Sequence, residues 1–193
     1  MRQLMPAIGI LLVMLTTGCS HQLQRQTCVK LTPEVNYCLA PLLQSSSNSE
    51  QALSQKISFT HGEKHHELLT ELALDTSDMT LVGLAPIGQP LFTVTYNGGE
   101  VLSQQNVLMG EDFKAEYLMA IMQLIYWPHE QVNGYFNQGE MIDFDCQQPR
   151  CSALMVNEKH AITIDYSDDN PWKSNVSLHF PAANITLVIT PLL

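Results

Sequence analysis

From His65 to Asp75 the chain alternates between two kinds of residue. His66, Leu68, Thr70, Leu72 and Leu74 take the even positions, while Glu67, Glu71 and Asp75 fall on the odd ones. Successive side chains of a strand point to opposite faces, so this stretch predicts a strand with one face toward a core or cavity and one toward water. The pattern constrains the fold because shorter versions of it recur. Ile57 and Phe59 alternate with Ser58 and Thr60, and Met79 to Leu84, Leu91 to Tyr96 and Glu100 to Ser103 read the same way. Further along, so do Met141 to Cys146, Ser152 to Val156, Ala161 to Tyr166, Asn175 to Phe180 and Ile185 to Thr190. Strand signals about ten residues apart, with a hairpin turn at Asn97-Gly98-Gly99, predict an antiparallel meander.

One stretch breaks the period of two. From Glu111 to Ile125, the residues Phe113, Tyr117, Leu118, Ile121, Leu124 and Ile125 share one face at helical spacing. Met119 and Met122 widen that stripe beyond what a surface helix needs. Trp127-Pro128 ends it, because a residue before proline is driven to extended backbone. The order strands, helix, strands predicts an α+β fold: a curved antiparallel sheet covered by one main helix.

The N-terminus carries a different signal. Arg2 precedes an apolar run from Ile8 to Leu15, followed by Thr16-Thr17-Gly18-Cys19-Ser20. The run is too short to span a bilayer but suits a secretory signal. Gly18-Cys19 resembles a bacterial lipobox, with Leu15 one residue further from the cysteine than usual. The resemblance implies a signal peptide over residues 1–18, acylation of Cys19, and a short tether over 19–27 leading into a single domain over 28–193. Ser20, where an inner-membrane retention signal would place Asp, implies the periplasmic face of the outer membrane.

Cys28, Cys38, Cys146 and Cys151 remain. In an oxidising compartment they predict two disulfides, and proximity favours Cys28–Cys38 and Cys146–Cys151. The net charge of −10 argues against a nucleic-acid partner and against an electrostatic grip on anionic lipid. No cofactor fingerprint, nucleophile elbow or metalloprotease motif is present, so neither a cofactor nor an enzymatic activity is expected. His65 and His66 fall on opposite strand faces, and His129, His160 and His179 have no ligand spacing, so no metal site is expected. Asp143 and Asp145 share a strand face, which a wet surface explains.

Three stretches resemble the LolA/LolB family of lipoprotein carriers and outer-membrane receptors. Glu67-Leu68-Leu69 leads to Ala85-Pro86-Ile87-Gly88, similar to the receptor loop from which an apolar side chain protrudes. Glu111 to Trp127, followed by Val132 to Phe136, is similar to the mid-chain helix and its return. Ile162 to Tyr166 and the last two strands are similar to the C-terminal sheet. Pro86-Ile87-Gly88-Gln89 also resembles outer-membrane lipoproteins that accompany aryl polyene biosynthesis clusters. The two disulfides depart from the receptor pattern.

The resemblance implies a half-open barrel holding an acyl or polyene chain, delivered to the outer membrane with a possible periplasmic carrier as partner. Leu68, Leu72, Leu74, Phe92, Val94, Leu118, Ile121, Met122 and Ile125 are then the expected lipid-binding residues. Ile87 is the expected membrane or partner contact. The alternative is a filled-core module that docks on an envelope protein complex and binds no lipid.

Overall fold

The computed structural model describes residues 23–43, 51–106, 109 and 113–192. The signal peptide, Cys19, the start of the tether, Gln44 to Glu50 and Glu111-Asp112 lie outside the described residues. Among the described residues, thirteen strands and two short α-helices make an α+β fold in which sheet dominates. The strands are β1 (Leu23–Arg25), β2 (Cys28–Lys30), β3 (Asn36–Cys38), β4 (Gln51–His61), β5 (Lys64–Leu74), β6 (Met79–Leu84), β7 (Pro90–Tyr96) and β8 (Val101–Gln105). After the helices α1 (Ala115–Tyr126) and α2 (His129–Val132) come β9 (Glu140–Asp143), β10 (Arg150–Val156), β11 (Lys159–Tyr166), β12 (Val176–Phe180) and β13 (Ile185–Pro191). Among the described residues two α-helices therefore stand where one main helix was expected.

Eleven strands form one sheet in the order β1-β8-β7-β6-β5-β4-β13-β12-β11-β10-β9, and β2 pairs with β3. Two antiparallel meanders, β4 to β8 and β9 to β13, are joined where β13 pairs with β4. The sheet is open, with β1 and β9 at its edges. This order decides where the helices go. β8 lies near one edge and β9 at the other, so the chain between them must cross the whole sheet. α1 makes that crossing. It touches β7 on one wing, Tyr166 of β11 on the other and Gln55 of β4 between them, so the sheet folds around it.

Strand alternation builds the inner face. Gln55 and Ile57 of β4, Thr70 and Leu72 of β5, Met79 and Leu81 of β6, and Val94 of β7 are buried at every second position. Registered pairs such as Ile57↔Leu68, Leu72↔Leu81 and Leu187↔Phe59 carry the face from strand to strand. Gly83 leaves the space into which the Phe92 ring lies. Cys28 is joined to Cys38 and Cys146 to Cys151, each closing a local hairpin.

α1 is buried almost all round, which accounts for its broad apolar stripe. The β2–β3 hairpin and the segment after it cover the side turned away from the sheet. Gln123, wholly buried, satisfies that segment: its Oε1 accepts from the Tyr37 hydroxyl at 2.7 Å and the Ala40 N–H at 2.8 Å, and its Nε2 donates to the Ala40 carbonyl at 2.9 Å. Tyr96 donates to the Leu39 carbonyl and Trp127 Nε1 to the Pro41 carbonyl. The Trp127 N–H caps the helix on the Gln123 carbonyl, with Trp127 extended before Pro128.

The sheet begins at Leu23, inside the stretch expected to be a tether. Arg25 holds β1 to β8 by donating to Ser103 Oγ at 2.7 Å and to Gln105. Among the described residues no helix is long and apolar enough to cross a membrane.

Candidate functional site

The two ends of α1 meet the sheet differently. At its C-terminal end the contact is filled. Tyr126 donates to Gln55 Oε1 at 2.9 Å and stacks on Trp172 at 4.4 Å between ring centroids. Gln55 Nε2 reaches Met122 Sδ at 3.4 Å. Burial raises the phenols of Tyr126 and Tyr37 above the ordinary tyrosine range, so both remain protonated donors.

At the N-terminal end a cavity of about 570 Å³ remains. Ile57, Phe59 and Leu68 form its sheet side on β4 and β5, continued by Ile185 and Leu187 of β13. Phe113, Tyr117, Leu118 and Ile121 form the helix side. Met109, Leu31, Phe180 and Ala183 complete the rim, the last two flanking the turn closed by Asn184 in the left-handed conformation. Besides the Tyr117 hydroxyl, the polar side chains lining it among the described residues are His66 and Lys114, both exposed. Its volume lies within the roughly 300–1,000 Å³ of small-molecule sites. Among its described lining residues no serine, threonine or cysteine stands beside a base. What this arrangement offers is an apolar environment with cationic or donor groups at the entrance.

The chain belongs to the family described as protein of unknown function (DUF3261). The family model matches residues 52–193, which runs from β4 to the C-terminus and includes the cavity's sheet and helix walls. Comparison with curated proteins finds no match.

Of the residues expected to bind lipid, Leu68, Leu118 and Ile121 line the cavity. Leu72, Phe92, Val94, Met122 and Ile125 do not. They point to the same side, but facing side chains fill the space around them, and all are core residues. Leu74 packs against the core from the end of β5. Ile87 stands at the tip of the β6–β7 turn and is 85% exposed. The Gly88 N–H donates to the Ala85 carbonyl there, and Gly88 has φ +82°, so the tight turn turns Ile87 outward.

Lys114, His66, Phe59, Phe180, Ile185 and Leu187 are among the lining residues absent from that expectation. Alternation was the available signal for the strand residues, since Ile57 and Phe59 share a face and Leu187 pairs with Phe59. His65 and His66 take opposite faces: His65 meets Thr60 at 3.1 Å and Glu67 at 3.6 Å on the outer side, while His66 turns to the cavity. No group of three metal-ligating side chains converges among the described residues. Asp143 accepts from Arg150 at 3.3 Å and lies 3.9 Å from His129, forming an ion-pair cluster rather than a pair of acids.

Proposed function

We propose that this protein is an outer-membrane lipoprotein, anchored through Cys19, that holds an acyl or polyene chain under α1 and helps deliver it to the membrane. The observation that carries this reading is the apolar cavity between the helix and the folded sheet, partly open to solvent. An open sheet folded around a crossing helix supports the LolA/LolB-like half-barrel reading. Burying about a dozen methylenes at roughly 0.8 kcal/mol each contributes about 10 kcal/mol before the cost of ordering the chain. No charged contact is required for binding of that size.

Ile87 supplies the contact with the membrane or with a carrier partner. A solitary apolar side chain on a rigid turn has no packing role, and its exposure suits insertion among lipids. Disulfides in both local hairpins suit an oxidising, periplasmic setting.

The test is uptake of a fluorescent fatty acid by the periplasmic Cys19→Ser protein and by a Leu118→Trp variant. Leu118 faces the cavity and is only partly buried, so a larger side chain fills the space with little effect on the fold. The reading predicts saturable uptake that Leu118→Trp abolishes while the unfolding midpoint holds. Uptake unaffected by that substitution would place the ligand elsewhere.

A further inference from the structure

We propose that the cavity selects an amphiphile with an anionic head, a carboxylate or phosphate, held at the mouth between Lys114 and His66. This rests on the reading of the cavity as an acyl-chain site and adds the chemistry of the head.

Two nitrogen-bearing side chains stand at the mouth among the described residues. Lys114 enters from the helix side and His66 from the sheet side, where its ring packs near Phe59 at 6.4 Å between centroids. Both are nitrogen donors, and no carboxylate lines the cavity among the described residues. Acidic residues outnumber Lys and Arg by 19 to 9, yet Lys114 makes no ion pair among the described residues. An ammonium at the edge of an apolar space, without a carboxylate partner among the described residues, matches a head that brings its own negative charge. An amphiphile with its tail beside Leu118 and Ile121 places that head at the rim. A cationic head would meet Lys114 and be repelled.

A lysine can also line such a rim by laying its methylenes over apolar surface, with the charge incidental. The two roles separate experimentally. A cover loses affinity for every tail alike when shortened or neutralised, whereas a head-group contact loses it for anions alone.

The experiment measures displacement of a neutral naphthylamine probe from the full-length Cys19→Ser chain at 0.15 M salt. Palmitate, hexadecyl phosphate, hexadecanol and hexadecyltrimethylammonium are compared below their micellar concentrations. The proposal predicts that the two anions bind roughly three- to tenfold tighter than hexadecanol, the size of a partly exposed charge-assisted contact, and that the cation binds weakest. Lys114→Gln then removes the anion preference and leaves hexadecanol unchanged. Whichever anion ranks higher identifies the head as carboxylate or phosphate. Equal binding of palmitate and hexadecanol, or an equal loss for all four ligands in Lys114→Gln, overturns the proposal and leaves the acyl-chain reading standing. If none of the four displaces the probe, the acyl-chain reading falls and this proposal falls with it.

Discussion

Replacing Gln123 with leucine tests how α1 is held over the sheet. The amide makes three hydrogen bonds in a wholly buried position, to Tyr37 and to both backbone groups of Ala40. Leucine fills similar space and satisfies none of them. Each buried donor or acceptor left without a partner costs roughly 1–3 kcal/mol, so the three orphaned by Gln123→Leu should cost about 3–9 kcal/mol. Tyr37→Phe should cost only about 1 kcal/mol, because Gln123 keeps both bonds to Ala40. In the double variant one orphaned hydroxyl disappears with the tyrosine, so the combined loss should fall short of the sum by about 1–2 kcal/mol. Urea unfolding of the disulfide-intact protein reads all three values from midpoints at a common slope. A Gln123→Leu loss below about 1 kcal/mol, or strict additivity, would refute the claim that this amide ties the N-terminal segment to the helix.

Three further outcomes follow from other parts of the structure. His129 is mostly buried, its Nε2 has no hydrogen-bond partner among the described residues, and desolvation lowers its pKa below the ordinary histidine value, with Arg150 adding to the shift and Asp143 and Glu130 opposing it. A depressed folded-state pKa gives stability that is complete above the unfolded value near 6.5 and is lost as pH falls from there through the folded-state pKa, so the urea midpoint should drop as pH falls below about 6.5 and His129→Gln should flatten that drop. The lowered carboxyls of Glu67 and Asp75 act in the same sense, but only as pH falls through the carboxylate range. Gly83→Ala should cost about 1–3 kcal/mol, because its methyl would collide with the Phe92 ring, which packs on Phe113 at 4.9 Å; an unchanged midpoint would mean the ring moves freely. Ile87→Glu should leave stability within about 0.5 kcal/mol and impair delivery to vesicles, and unimpaired delivery would remove that loop from the mechanism.

Much of the sheet is legible in the sequence because its strands are long enough to show a period. β6 begins and ends where alternation places it, and β5 and β7 differ by a residue at one or both ends. β1, β2 and β3 are three residues each, too short for a period, and they depend on distant partners such as Ser103 and Asn137. The helix stripe was readable, and Met119 and Met122 marked it as more than a surface helix. The second layer of chain over α1 was not, because Gln123 and Ala40 lie 83 residues apart in sequence.

The site divides in the same way. Alternation tells which face a residue takes but not how far a neighbour stands from it. Leu68 and Leu72 share one face of β5, yet Leu68 meets the cavity and Leu72 meets packed core. The contribution of β13 follows from its pairing with β4, a contact between the two ends of the domain. Lys114 and His66 gain meaning only when the helix and sheet bring them to one opening.

The measurement that tests the central claim most directly is mass spectrometry of organic extracts from the periplasmic Cys19→Ser protein, purified from a strain making its native lipids. The account predicts an acyl or polyene species in stoichiometric amount that is absent from Leu118→Trp. A protein that yields no such species and takes up no fatty-acid probe would contradict it, leaving a packed domain that acts by docking on another envelope protein.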